Sequence, residues 1–586
     1  MPESVSIRQS DSRWLRLAHL TSLFGFFALG LAWLLPNKSF PWLSAWNEGL
    51  AFAASVLLGL ATAMSAFGGS RKERIAWPMY AIVIFGILTV WLQWFFGLLV
   101  FRGDAVLATL YLGCYWLAMS AGNHFAQDSD GAAWIDGLLS VTVVAGLISF
   151  GCALNQWTRA NGLVLWIQEI GAYGRPYANL GQTNHLNTLL FIAGCMLLQL
   201  HARDKVRSAV LYAGLAALSF GMALTQSRTA IVQIFALLLW SVWQYRSLRP
   251  NKNTAVVFCV LYVGSAFLLP HLSTWALLST GRPIELEATT GDLRFTAWVA
   301  MLDAASQHPW QGYGWLQNSW AQQLVAEQHP GLRYEFNYSH NFIIDLMLWV
   351  GIPAALLLVG MLLYWGLAHI KSRNTSTVYI MGAIAGIFIH GLLEYPLSYA
   401  YFLIPLGLFI GIVDAIDPAL KKTAAPPIII GIVSVMLWAL LTIAGREYVQ
   451  AVETDSIMRT EALRIGVAKK TTPPPDFPVL DQLGAQFAFR FIDPVPNMNP
   501  EDLLLMKKVA KRYGNYAVLT DYAYAAGLNG ESAEKEHYLN VVCAIYGEKR
   551  CMRDMDEWES RRLLTGGRLD IYFNKPQNPS ATHRGQ

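Results

Sequence analysis

The chain of 586 residues is 54% hydrophobic and 14% charged, with 22 tryptophans and a positive mean hydropathy, against roughly 25% charged residues in soluble domains. This composition excludes a soluble globular enzyme and points to a polytopic membrane protein whose surface partner is the lipid bilayer. A formal net charge of +4 without any basic block gives no reason to expect a nucleic-acid partner.

Residues 1–13 are polar, and the apolar run after them is long enough, at roughly 20 residues, to stay as a first membrane helix rather than leave as a signal peptide. Apolar stretches of spanning length then recur at 49–68, 77–99, 104–121, 133–153, 186–201, 207–225, 228–245, 254–270, 341–367, 376–392, 400–416 and 426–445. With the first, at 14–36, they predict about 13 transmembrane helices. Arginine and lysine concentrate in alternate loops, at Arg71, Lys72 and Arg74, at Arg203, Lys205 and Arg207, at Arg246, Arg249 and Lys252, at Lys371 and Arg373, and at Lys421 and Lys422. By the positive-inside rule these loops and the N-terminus are expected to be cytoplasmic, and the other face and the C-terminus periplasmic. The connections Asn155–His185, Thr225–Arg228, His271–Asn341 and Leu392–Ala400 then share the outer side. A polar connection of some seventy residues inside a membrane chain is far longer than ordinary loops, so the 271–340 loop is expected to be functional.

Composition changes near Arg446, where Lys469, Lys470 and the Pro473-Pro474-Pro475 run introduce a charged region. Segments at 501–513, 516–527, 531–546 and 553–564 carry apolar residues at helical spacing, broken at Gly514 and Gly530. The expected organisation is a transmembrane domain over 1–445 and a small α-helical periplasmic domain over 446–586, an all-α fold. Cys543 and Cys551 are the two cysteines in a polar region; an oxidising compartment would allow a local bridge, and two free thiols remain the alternative.

Gln182, Asn184 and His185 crowd several donors and acceptors just before an apolar helix, which suits hydroxyl-rich or phosphate groups as well as simple capping. Arg228 interrupts two apolar runs, where a guanidinium either snorkels or meets phosphate oxygens. Arg294 precedes a segment, Val299–Gln307, that reads as a helix; its partner could be Asp292 or Glu287. His340 stands where the loop re-enters the membrane, a position that serves a helix cap or a general base. Glu394-Tyr395-Pro396 reads as a turn that helps position a neighbour or merely closes the loop. The outer loops hold no Asp-x-Asp pair and no His/Cys cluster, so neither a metal nor another cofactor is expected.

In order, Gly181-Gln182-Thr183-Asn184-His185, Ser227-Arg228-Thr229-Ala230, Arg294 with Trp298, Gly312-Tyr313-Gly314 and Ser339-His340-Asn341 resemble the O-antigen ligase and polymerase superfamily. Within it the chain is most similar to bacterial O-oligosaccharyltransferases of the pilin-glycosylation type, over about residues 15–445. The resemblance implies an inner-membrane enzyme that moves an oligosaccharide from undecaprenyl diphosphate to a Ser or Thr hydroxyl of a periplasmic protein such as pilin. It implies that Arg228 and Arg294 bind the diphosphate and that His340 activates or orients the acceptor, with Gln182, Asn184, His185 and Tyr395 in supporting roles. Direct displacement with inversion is the simplest expected course; a covalent intermediate would need a carboxylate such as Asp292 or Glu335. Ligation of O-antigen to lipid A core and O-antigen polymerisation share the donor and differ in acceptor. A transporter is the reading from another class.

Overall fold

The computed structural model describes residues 3–66, 73–127, 131–160, 166–171, 174–245, 253–276, 278, 284–371, 374–417, 419–462, 475–549 and 551–553, with the backbone alone at 3–12, 66, 73–74, 284–292 and 461–462. Arg71, Lys72, Arg246, Arg249, Lys252, Arg373, Lys469, Lys470, Pro473 and Pro474 lie outside the described residues, as do the side chains of Arg74, Glu287 and Asp292. The expected last helix, 553–564, lies outside them beyond Arg553.

In lipid every backbone amide must find its partner within the chain, and helices do this locally. The chain accordingly runs α1 (Glu3–Leu34), α2 (Ala45–Ala66), β1 (Glu73–Ala76), α3 (Trp77–Phe95), α4 (Arg102–Gln127), α5 (Gly131–Thr158), α6 (Thr183–Ala202), α7 (Ser208–Thr225), α8 (Arg228–Trp243) and α9 (Thr254–Trp275). It continues through α10 (Ile284–Gln307), α11 (Asn318–Val325), α12 (Phe342–Val350), α13 (Ile352–Ile370), α14 (Val378–Gly391), α15 (Ala400–Ile416), β2 (Lys422–Ala425) and α16 (Pro427–Ala462). The C-terminal part adds α17 (Asp481–Arg490), α18 (Pro500–Arg512), α19 (Tyr516–Leu528) and α20 (Ser532–Tyr546). Ten of these helices are long and apolar enough to cross a membrane, and α8, α14 and α15 are shorter apolar helices. The fold is an all-α polytopic membrane protein.

The bundle is organised around α6, whose apolar window is 89% buried and which packs on α5, α7 and α14. Small residues let α4 and α15 approach closely: a Cβ at Gly411 would stand 2.1 Å from the Met119 carbonyl, the close backbone contact that membrane helices favour. At one end of α15, Asp414 accepts from the Ala76 amide (2.9 Å) and the Trp365 indole (2.8 Å). Beside it β1 and β2 pair antiparallel, Glu73 opposite Ala425 and Ala76 opposite Lys422, so the chain before α3 and the chain before α16 meet on one side of the bundle. This two-stranded sheet has no counterpart in the hydropathy pattern.

Three boundaries differ from expectation. Helix α9 continues through His271 to Trp275, and the long connection after it is folded, containing α10 and α11. The apolar run 341–367 is not one helix, because Gly351 has φ +83° and separates α12 from α13. A Cβ there would meet the Trp310 carbonyl oxygen at 2.3 Å, so only glycine permits this break. Helix α16 continues through residue 446 as far as Ala462, so the change in composition near Arg446 falls inside a helix. Helices α18, α19 and α20 occupy the expected positions, α17 precedes them, and α18–α20 share an apolar core that also takes in Phe101 and Ala326.

Candidate functional site

The other end of α15 carries the site. A 17-residue helix is about 25 Å long, so Tyr399 and Ala400 stand about that far from the strand pair. Here the starts of α6, α8, α12 and α15 and the end of α14 bring together residues distant in sequence.

Glu394 is the hub. The last turn of α14 wraps back, its Glu394 amide donating to the His390 carbonyl at 2.8 Å, which turns the side chain toward the start of α6. One carboxylate oxygen accepts from the Asn184 amide at 2.9 Å and from an Arg294 guanidinium nitrogen; the other pairs with Nδ1 of His340. The Glu394 side chain is 6% exposed, against 21% for His340 and 42% for Arg294, so the acid is buried and both partners reach outward. Burial by itself would raise the carboxyl pKa. The His340 hydrogen bond and the charges of His340 and Arg294 outweigh it and hold the group at about 2, fully ionised near neutrality.

His340 is held from several directions. Its backbone is left-handed, φ +61°, a conformation uncommon outside glycine in which asparagine, aspartate and histidine are the most frequent of the other residues. The turn is fixed on one side by Asp345, which accepts from the Ser339 amide (2.7 Å) and the Asn318 side chain (2.6 Å). On the other side the Trp298 indole donates to the Ser339 carbonyl at 2.8 Å. Asn341 caps α12 by accepting from the Ile343 amide at 3.0 Å. The imidazole meets the Tyr395 ring edge-on, centroids 4.9 Å apart. With Nδ1 committed to Glu394, Nε2 is the nitrogen available to a substrate.

Gln182 donates to the Tyr395 hydroxyl at 3.2 Å, and Tyr395 stacks on Tyr338 at 4.7 Å. Burial pushes the Tyr395 hydroxyl above the ordinary phenol range, so it remains a neutral donor. The Ser227 hydroxyl donates to Asn184 at 2.7 Å, tying the start of α8 to the hub; Arg228, the next residue, is exposed. Nearby, Arg175 donates to the Gln226 carbonyl at 3.0 Å. The structure thus gathers Gln182, Asn184, Arg294, His340 and Tyr395 through direct contacts and places Arg228 one residue from them. His185 stands apart: it is 1% exposed and its Nδ1 lies 3.0 Å from the Tyr401 hydroxyl. One residue along a helix turns the side chain by about 100°, which carries His185 into the bundle while Asn184 faces the hub. Glu335 is turned away toward the C-terminal helices, accepting from the Gly514 amide at 2.8 Å.

Sequence reasoning underweighted Glu394, and Ser227, Asp345 and Trp298 were not singled out for their supports. One signal was present: a carboxylate at the bilayer boundary is costly and calls for a named partner. Among the described residues no group of three or more His, Cys, Asp or Glu is placed to hold a metal ion.

A histidine held by a carboxylate that also pairs with a half-buried arginine is an arrangement able to take a proton from a hydroxyl beside a phosphate-bearing group. Residues 213–359 match the family described as O-antigen ligase, and residues 378–559 that described as virulence factor membrane-bound polymerase, C-terminal. A protein named general O-oligosaccharyltransferase from Acinetobacter baylyi (strain ATCC 33305 / BD413 / ADP1) is 26% identical over 541 residues, covering 90% of this chain and 93% of the relative. A second protein of that strain, named ComP-specific O-oligosaccharyltransferase, is 24% identical over 545 residues, covering 92% and 97%.

Proposed function

We propose that the chain is an O-oligosaccharyltransferase of the O-antigen ligase superfamily, acting in protein O-glycosylation, and that it moves an oligosaccharide preassembled on undecaprenyl diphosphate to Ser or Thr hydroxyls of periplasmic proteins, pilins among them. In this reading the N-terminus is cytoplasmic, while the site and the domain over 446–586 are periplasmic. The observation that carries the assignment of roles is the convergence of His340, Arg294 and Asn184 on the buried Glu394 carboxylate.

The acceptor oxygen attacks the anomeric carbon as the bond from that carbon to the diphosphate oxygen breaks, with inversion. The proton goes to Nε2 of His340, whose Nδ1 is fixed by Glu394 as in carboxylate–histidine pairs elsewhere. Negative charge grows on the departing diphosphate. Arg294 has further guanidinium donors beyond the one used by Glu394, and with Arg228 it meets that charge, each charge-assisted hydrogen bond contributing roughly 1.5–3 kcal/mol. Gln182, through Tyr395, holds the wall beside the His340 ring.

Transfer from lipid-linked oligosaccharide to a pilin-like acceptor in detergent tests the assignment. His340→Ala is expected to retain donor binding and lose transfer by at least a hundredfold; activity within threefold of wild type would refute the role. Glycan delivered to lipid A core in preference to any protein would favour a saccharide acceptor. Both relatives are named O-oligosaccharyltransferases, one of them ComP-specific, which supports the protein acceptor.

A further inference from the structure

The segment that leads into His340 does not rest only on the membrane helices. The amides of Gly331 and Arg333 donate to the carbonyls of Ala544 (2.7 Å) and Ile545 (2.6 Å) at the end of α20. Glu335 accepts from the Gly514 amide, which also lies 2.8 Å from the Ser319 hydroxyl, and Gln323 donates to the Ala510 carbonyl at 3.0 Å. The end of α18 is fastened in turn to the membrane domain. Arg512 grips Asp104, in the first turn of α4, through two nitrogens at 2.8 and 3.1 Å, with the two side chains 10% and 1% exposed. Arg512 stands two residues before Gly514, the partner of Glu335, and Glu335 stands three before Tyr338. Tyr338 stacks on Tyr395, whose ring meets His340.

We propose that the C-terminal helices complete the transfer site, with Arg512 the positioning residue that fixes the 335–340 segment and through it His340. The end of α18 is held to α4 by a charged fork that only a guanidinium makes with this geometry, and the C-terminal helices meet the 331–335 segment through the Gly514 amide and the Ala544 and Ile545 carbonyls. The C-terminal module is then part of the catalytic scaffold, and deleting it removes more than a surface for the acceptor. This inference rests on the reading of His340 as the group that meets the acceptor hydroxyl.

The test uses the full chain in detergent, with initial rates of transfer from lipid-linked oligosaccharide to a protein acceptor. Arg512→Lys keeps the charge and removes the fork. Gly514→Ala leaves every charge in place, but its Cβ would stand 2.5 Å from the Ser319 hydroxyl and 2.6 Å from the Gln323 amide nitrogen, so the seat of Glu335 must shift. Both are expected to lower kcat at least tenfold with KM for donor and acceptor within twofold, measured on the monodisperse folded fraction. Lys507→Ala, on an exposed part of the same helix where it pairs with Glu534, is expected to leave kcat unchanged. Folded Gly514→Ala or Arg512→Lys with kcat above half of wild type would overturn the proposal, as would a loss confined to the amount of folded protein. His340→Ala in the same series separates the two readings: inactive His340→Ala beside active Arg512→Lys refutes only the positioning role, whereas active His340→Ala refutes both.

Discussion

Replacing Glu394 by glutamine keeps the shape of the hub and removes its charge. The carboxylate accepts from Asn184, Arg294 and His340; the amide has a single acceptor oxygen and turns an NH2 group toward one of those donors. Either the Nδ1 proton of His340 loses its acceptor, which disorders tautomer and ring, or Arg294 is left without its anion. In hydrolases the corresponding acid-to-amide change lowers kcat by about 10⁴-fold. Because Arg294 and the fixed turn remain, a loss of about 10²–10⁴ is expected here, equivalent to about 3–5 kcal/mol of barrier. A second readout comes from acid. A carboxylate held at about 2 instead of 4.5 corresponds to about 3 kcal/mol of pairing. The native pKa is depressed, so this stabilisation is present above pH 4.5 and is lost as pH falls from 4.5 toward 2. The melting temperature of wild type should therefore exceed that of Glu394→Gln at pH 5, and the margin should shrink as pH falls below 4.5. The assay is kcat for transfer to a protein acceptor at neutral pH, beside melting curves across that range. A Glu394→Gln protein within threefold of wild-type kcat, with a margin that does not depend on pH, would refute the hub.

Asp345→Asn replaces the acceptor of the Ser339 amide with a group that must also satisfy the Asn318 side chain; kcat should fall about 10–100-fold through loosening of the His340 turn, checked against an unchanged donor KM. Cys543 and Cys551 are bridged across eight residues, a loop whose closure corresponds to about 2.5 kcal/mol in the chain-entropy description. The Cys543→Ser, Cys551→Ser double variant should unfold its C-terminal helices at lower denaturant, and an unchanged midpoint for that part of the transition would speak against this stabilisation.

How much of this was legible from the sequence varies by residue. Ser339-His340-Asn341 and the Gln182–Asn184 cluster could be picked out because polar side chains at the rim of apolar helices are costly and therefore informative. Arg294 and Glu394 could each be seen, but not their pairing, since partners separated by 100 residues leave no periodic trace. His185 could not be separated from Asn184 without the helix start, because adjacent residues point in different directions once the chain coils. The hydropathy of 341–367 is continuous, so the break was invisible in composition; Gly351 marks it only because the Trp310 carbonyl presses on that position. The bridge between Cys543 and Cys551 was left open by spacing alone, and Gly547 at φ +92° reverses the chain so that the sulfurs meet.

The strand pair far from the site bears on how the protein is made. Glu73–Ala76 leaves the ribosome some 350 residues before its partner Lys422–Ala425, and the chain between them supplies all of the helices from α3 to α15. During that interval the β1 edge has no mate, and pairs of such sequence separation form slowly. Membrane insertion of the middle of the protein must therefore proceed with this end unsealed, and the zipping of β2 onto β1 is a late event in biogenesis. A nascent chain halted before residue 422 should expose the 73–76 segment to proteases on that face of the membrane, and release past 425 should protect it.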